Sequence, residues 1–576
     1  MPSPIPPNDG GSRTRVLLAA CVVVLLVLTG CAAIPTSGPV GTSAPEAAGQ
    51  SDFTYTFDPP GPAQDASPQQ IIEGFMRAGI APRDDYSVAR EYLAPELSRE
   101  WRAADRTVVY ASEPNIVENV QEGSYTVEVA ATSSIDEHGL LTRKEGQSTV
   151  SADIKLVKVD GQWRLSKVPN GTMIEEGNFA VLFAAYPLYF YDSTRSYAIA
   201  DYRWFAKRQG LPATIVGALL AGPAPYLRNA VTSAFPEGSS LARASVPVES
   251  RRATVDLNVS TFADATELQR QQMQQQLELT LGEVQNVRAV SMTVGQRAVS
   301  LGNAAEGYEK AIVDASVPNT QIAIDKKALV FYQGNGVVPV GGVQDISAYD
   351  PRDPAMAPAD NRYAFLNGSR TKMITVNEAG VPRVAVTGKD LLPPSIDIHG
   401  WTWTVGNDGR TRIRVTPSNS AKDGSSRQVN SGWMGQAKVT SLRVSPDGAR
   451  ALVVATVGGK PGVYITGIIR DSEGVPRGFT DPLRLDASVP VERGVWSSSD
   501  AVIVMKPSNS QAVRAEEISL SGSATTFEPL LGMTNISAGP GDQRTVYAET
   551  PDGVYSRVFS TWKKREGQAT QLSYPG

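Results

Sequence analysis

Apolar and polar positions change period several times along the chain, and each change marks an element. After a polar start, residues 16–28 form an unbroken apolar run. Ile71, Ile72, Phe75 and Met76 then recur at helical spacing, behind Ser67-Pro68-Gln69-Gln70, which can open a helix with proline in its first turn. A second amphipathic stretch covers 86–93. From there the period drops to two: strands are expected at 107–110, 125–130, 149–157 and 163–168. Asp160-Gly161 between two of these runs signals a hairpin. Helices followed by a meander predict an α+β domain over 67–178. A second α+β block is expected over 179–303. Here a helix ends in Leu219-Leu220-Ala221-Gly222-Pro223, a Pro-x-Gly turn follows at Pro236–Gly238, and Ala253–Leu257 alternates as a strand. Asp264-Ala265-Thr266-Glu267 fits a capping box with Asp264 as the cap. The Gln-rich helix it opens carries Met273, Leu277, Leu281 and Val284 on one face, a stripe that reads as core rather than as a partner groove.

Residues 321–576 are all-β and repetitive. Ser441-Leu-Arg-Val-Ser-Pro-Asp-Gly448 followed by Ala451–Ala455 is the sharpest unit. Weaker copies lie at Asp345–Pro351, Ile396–Trp401, Gly494–Ser498 and Asn535–Pro540, at steps of 42–52 residues. A four-stranded propeller blade occupies about 40–50 residues. The Ser-Pro-Asp-Gly turn resembles propeller repeats of the TolB and WD40-like type, so a propeller of about five blades, or six, is expected. The strand at 328–332 precedes the first copy and is placed to pair into the last blade and close the ring.

The N-terminus adds a compartment. Arg13 and Arg15 precede the apolar run, which has thirteen residues where a bilayer span needs about 20. The run ends in Leu28-Thr29-Gly30-Cys31, which resembles the lipobox of bacterial lipoproteins. That resemblance implies cleavage after residue 30, an S-diacylglycerol and an N-palmitoyl group on Cys31, and a place on the extracytoplasmic side of the cell membrane. Residues 31–66, rich in Ala, Pro, Gly and Ser, then read as a flexible tether behind a 1–30 signal peptide.

Composition limits the chemistry. A formal charge of −5 over 576 residues provides no general basic field, which argues against nucleic acid as a partner. Two Cys and two His exclude a disulfide framework and oppose a thiolate or imidazole metal site. No nucleophile elbow or phosphate loop occurs, and Gly458-Gly459-Lys460-Pro461 lacks the hydroxyl that such a loop needs. Ser395–Trp403 nearly matches the Asp-box of sialidases but carries one residue too many, and His399 within it reads as a turn residue rather than a general base. Asp84-Asp85 reads as a solvated turn, and Trp101 and Trp163 as core. No catalytic residue, metal or cofactor is expected, and the chain is expected not to be an enzyme.

The first folded block resembles NTF2-like cones. The second is similar to the GerMN module, with Asn258 standing where a small hydroxyl residue is usual. A lipobox, an NTF2-like block, a GerMN block and a C-terminal propeller, in that order, resemble the LpqB lipoprotein family of actinobacteria. The resemblance implies an accessory protein of the MtrAB two-component system that contacts the extracytoplasmic region of the MtrB sensor histidine kinase in cell-envelope homeostasis and division. A receptor or enzyme for envelope glycans or peptides, or a scaffold for other envelope proteins, stands as the alternative.

Overall fold

In the computed structural model the described residues are 58–576, apart from 209, 263–264, 303–307, 335, 360, 421, 540–544 and 568. The expected signal, lipobox and most of the tether lie outside them. Among the described residues no helix is long and apolar enough to cross a membrane.

The first domain begins where Ser67 caps the helix Pro68–Ala78. Its hydroxyl accepts from the Gln70 amide while the Gln70 side chain accepts from the Ser67 amide, so two orphan donors are satisfied reciprocally. Ile71, Ile72, Phe75 and Met76 are buried by this helix against a six-stranded sheet. Along that sheet run Gln162–Lys167, Leu141–Val159, Ser124–Ile135, Thr107–Tyr110 and Thr172–Glu175, with Asn115–Asn119 also paired on Ser124–Ile135. Asp160 and Gly161 turn the expected hairpin with φ of +51° and +80°, the mirror-image turn that suits twisted strands.

The second domain has two sheets. Phe183–Tyr191 and Ala198–Ala206 form an aromatic-rich hairpin. Arg252–Leu257 lies parallel to Ala289–Val294, and the helix Glu267–Gly282 makes the crossover between them. This helix starts from Thr266, whose hydroxyl accepts from the Gln269 amide. The cap is therefore Thr266 and not Asp264, which lies outside the described residues. Met273, Leu277, Leu281 and Val284 are buried as the apolar stripe requires. The glutamines of the same helix are buried too, and serve as surrogate backbone. Gln276 accepts from the Ala234 amide at 2.9 Å and donates to the Tyr189 carbonyl at 2.8 Å. Gln275 donates to the Ala311 carbonyl at 2.9 Å. The helix thus hydrogen-bonds the hairpin and the two loops, around Thr232 and Ile312, that bridge to its strands.

The third domain is a six-bladed propeller. Five blades are consecutive sheets whose innermost strands are Arg352–Met356, Ser395–Ile396, Lys438–Val444, Arg493–Trp496 and Asn535–Ala538; four have four strands, and the one starting at Lys438–Val444 has a fifth, Leu483–Leu485. The remaining blade is shared between the two ends of the domain. Gln321–Asp325, Ala328–Tyr332 and Val337–Pro339 supply its outer strands, and Thr570–Ser573 is the innermost. The strand at 328–332 thus does pair into the closing blade. The copy expected at Asp345–Pro351 is corrected: it is a turn ahead of the inner strand Arg352–Met356, not the strand itself.

Domains two and three share one apolar core. Leu188, Phe190, Ile199 and Leu219 of the hairpin side belong to the same buried cluster as Leu452, Ile465, Trp496 and Val502 of the propeller. The Leu-Leu-Ala-Gly-Pro segment builds the platform between them. Asp201, buried beside Arg203 at 2.6 Å, accepts from the Ala224 amide at 2.9 Å, while Arg203 donates to the Gly222 carbonyl at 2.8 Å. These bonds fix the turn that leads into Pro225–Leu227, a short 3₁₀ helix laid on the propeller strand Lys460–Arg470. Thr480 donates to the Tyr226 carbonyl at 2.5 Å. Gly467 allows that approach, because a Cβ there would sit 2.5 Å from the Ala230 Cβ and 3.0 Å from the Tyr226 carbonyl oxygen. Gly467→Val is therefore expected to weaken docking by about 1–3 kcal/mol, the usual cost of overpacking. Calorimetry should resolve an earlier separate transition, and the radius of gyration in solution should grow. One unchanged transition would contradict the platform's role.

Candidate functional site

The first domain is a filled cone. Phe75, Trp101, Ile154 and Met173 leave only about 30 Å³ between helix and sheet, and no carboxylate lines that space. Trp101, 1 % exposed, donates to the Pro169 carbonyl and packs edge-on to Phe75, so it is core as expected. Trp163 is half-buried at the rim of the same core. Asp85 forms an exposed ion pair with Arg90 at 2.6 Å in a turn.

The propeller has two different faces. The face where the inner strands end is covered by the second domain. There Arg450 donates to Asp447 at 2.5 Å and to the Ser499 carbonyl at 2.6 Å, with the Ala200 carbonyl of the hairpin at 3.5 Å. The Tyr202 hydroxyl donates to Asp500 at 3.0 Å, and the Ser499 hydroxyl to Asp314 at 2.6 Å. The Asp-box-like turn belongs to this face. Asp397 accepts from the Trp401 amide and the Trp403 indole, each at 2.8 Å, and from Arg470 at 2.6 Å. Both carboxylate oxygens are thus engaged in structural bonds. His399 sits in this turn, largely buried, 4.0 Å from Asp192 of the hairpin turn. Burial, with Arg470 adding to it, holds its pKa below the usual imidazole range.

The opposite face, where the inner strands begin, is open. A central channel of about 420 Å³ opens there, lined by Asp353, Arg370, Arg443, Arg493, Asn535 and Glu549. Beyond Arg443 it narrows to about 30 Å³ against Trp496, Tyr574 and Pro575. Its carboxylates are committed. Glu549, 8 % exposed, accepts from the Asn535 side chain and from the Gln571 and Leu572 amides, each at 2.6 Å, and so clamps the closing strand. Burial pushes its pKa up against those bonds. Asp353 pairs with Arg370 at 2.8 Å, and its amide donates to the Gln571 side chain at 2.5 Å. Among the described residues, Arg443 donates to the Pro394 carbonyl and Arg493 to the Thr534 carbonyl. Burial lowers the Arg443 pKa to about 10, opposed by Asp353 and reinforced by Arg493, so the guanidinium stays charged at neutral pH. Asp353, Arg370 and Gln571 all hold φ between +49° and +62°, a left-handed conformation rare for such residues. Outside the channel a trough of about 850 Å³ runs over the blade of 438–479 and shares Arg370, Pro393, Thr440 and Arg493 with it.

Models of three families match in the order of these domains. They are "Lipoprotein LpqB, N-terminal domain" over residues 61–180, "Sporulation and spore germination" over 187–300, and "Lipoprotein LpqB beta-propeller domain" over 327–575. The chain belongs to the LpqB lipoprotein family. Among curated relatives, the Lipoprotein LpqB of Bifidobacterium longum is 26% identical over 80% of this chain and 80% of its own. That of Streptomyces avermitilis is 24% identical over 99% of this chain and 100% of its own. Among solved structures, TolB from Acinetobacter baumannii is similar at 15% identity and a TM-score of 0.33, over 44% of this chain and 65% of that one.

The sequence-predicted site residues Leu28, Thr29, Gly30 and Cys31 lie outside the described residues of this LpqB-family chain. The channel arginines were not anticipated. Their one trace is a charged residue inside an apolar inner strand, as in Leu442-Arg443-Val444. His399 supports a test. Unfolded, its imidazole protonates near pH 6.5; folded, it stays neutral below that. The unfolded chain then binds the extra proton, so stability contributed by the neutral ring is lost as pH falls through about 6.5. His399→Gln should lose less stability than the parent between pH 7.5 and 5.5 in denaturant unfolding. Equal losses would contradict this reading.

Proposed function

We propose that this chain is a lipid-anchored protein on the extracytoplasmic side of the cell membrane, not an enzyme, which binds the extracytoplasmic region of a sensor histidine kinase of the MtrB type and modulates it in cell-envelope homeostasis and division. The observation that carries the reading is the asymmetric propeller. One face is consumed by the second domain, and the other remains open in a chain whose second cysteine, Cys31, follows the lipobox-like Leu28-Thr29-Gly30. Family membership supports the same reading. Cys31 would carry the acyl chains, and two or more chains are needed for stable anchoring. The open face would act by binding one signalling state of the kinase more tightly than the other, since equal affinity shifts no equilibrium.

Two measurements test it. Cys31→Ala should move the protein from the detergent phase to the aqueous phase in detergent phase separation, and persistence in the detergent phase would refute the anchor. The wild-type protein, used as bait in solubilised membranes, should recover a histidine kinase, and its consistent absence would refute the partner.

A further inference from the structure

We propose that the open channel of the propeller is a carboxylate-binding site for an extended acidic peptide segment of a partner protein, with Arg443 and Arg493 as the recognition groups. This builds on the open face named above as the contact surface but not on the kinase as owner of the peptide.

Charge leads to the ligand class. The chain as a whole is acidic, at −5. Yet two guanidinium groups converge in a channel whose carboxylates are spent on closing the ring and on Arg370. Neither Arg443 nor Arg493 lies within ion-pair distance of a carboxylate among the described residues, and Arg493 disfavours the Arg443 charge while Asp353 favours it more strongly. A carboxylate entering the channel would meet both guanidinium groups, and the planar guanidinium matches a carboxylate with two parallel hydrogen bonds. The left-handed backbone at Asp353, Arg370 and Gln571 adds strain at the same mouth, where strain commonly marks a ligand site.

Shape separates a peptide from a small anion. The channel narrows to about 30 Å³ beyond Arg443, room for a side chain but not for a strand. Arg493 stands at the junction with the trough, whose lining offers apolar Leu392, Val439, Val463 and Val491 among charged residues of both signs. An extended backbone with alternating side chains would lay apolar or small groups on that lining and direct a carboxylate down to Arg443. A free anion would leave the trough unused.

The test uses the full-length protein in detergent micelles and a fluorescein-labelled octapeptide of alternating Glu and Ser, with the Gln-for-Glu octapeptide as its neutral counterpart. Anisotropy should show about tenfold or tighter binding of the acidic peptide over the neutral one, weakening with added salt. Arg443→Gln and Arg493→Gln should each cost about tenfold, as expected for loss of a charge-assisted pair. Lys563→Gln, on an exposed outer strand, should change little. Arg443 also holds the Pro394 carbonyl, so thermal melting accompanies each variant; Arg493, with a single long bond of 3.4 Å to the Thr534 carbonyl, reads the site even where Arg443→Gln unfolds. Equal affinity for the two octapeptides, unchanged affinity in folded Arg493→Gln, or complete displacement by millimolar inorganic phosphate, which would mark a small-anion site, each overturns the proposal. Peptide binding without kinase recovery would sink the proposed partner and leave this site standing, and the reverse result would do the opposite.

Discussion

Arg450 is the point on which the arrangement of this molecule depends. Its guanidinium is 1 % exposed and joins three pieces of chain: Asp447 in its own blade, the Ser499 carbonyl of the next blade, and the Ala200 carbonyl of the docked hairpin. A buried charge with its partners in place is roughly neutral in energy, whereas one stripped of a partner costs about 3–5 kcal/mol. Undocking the hairpin would therefore take away a partner and expose apolar surface together. The Arg203–Asp201 pair beneath it and the Thr480–Tyr226 bond apply the same logic at the platform. The propeller and the second domain behave as one body because their polar contacts are poorly replaced by anything nearer.

That coupling decides which propeller face can do anything else. Domain two occupies the face where inner strands end, together with His399, Asp397 and the Asp-box-like turn. Residues that look chemically suggestive in the sequence are thereby consumed by structure. The opposite mouth is left with arginines, because ring closure takes its acids: Glu549 binds the amides of the closing strand and Asp353 faces Gln571 of the same strand. Closure of the ring and the basic character of the channel are thus consequences of one set of bonds.

Much of the fold was legible where the cause is local. Ser67 with Gln70, Asp160 with Gly161, and the Met and Leu stripe of Glu267–Gly282 each report on neighbours within a few residues. The Gly222-Pro223 stop was readable as well, though its role as a docking platform was not, since that depends on Gly467 and Thr480 far along the chain. The sixth blade escaped a count of signatures because its inner strand and outer strands lie at opposite ends of the domain, so no single stretch carries the whole unit. The buried glutamines of the second domain's helix were invisible for the same reason: a Gln-rich face looks solvated until the carbonyls and amides it serves are placed. The channel arginines come from different blades and share no motif, so only the closed ring brings them together.

Hydrogen exchange on the full chain tests the rigid coupling most directly. The amides of Ala224 and Thr232 on the platform, and of Ile468 and Thr480 beneath it, are hydrogen-bonded within their own domains beside the junction. If the two domains form one body, these amides exchange with the same protection as the interior of the strand Arg450–Val457, because each opens only when the whole unit does. Platform amides that exchange orders of magnitude faster than that strand would show the domain undocking on its own, and would contradict the account.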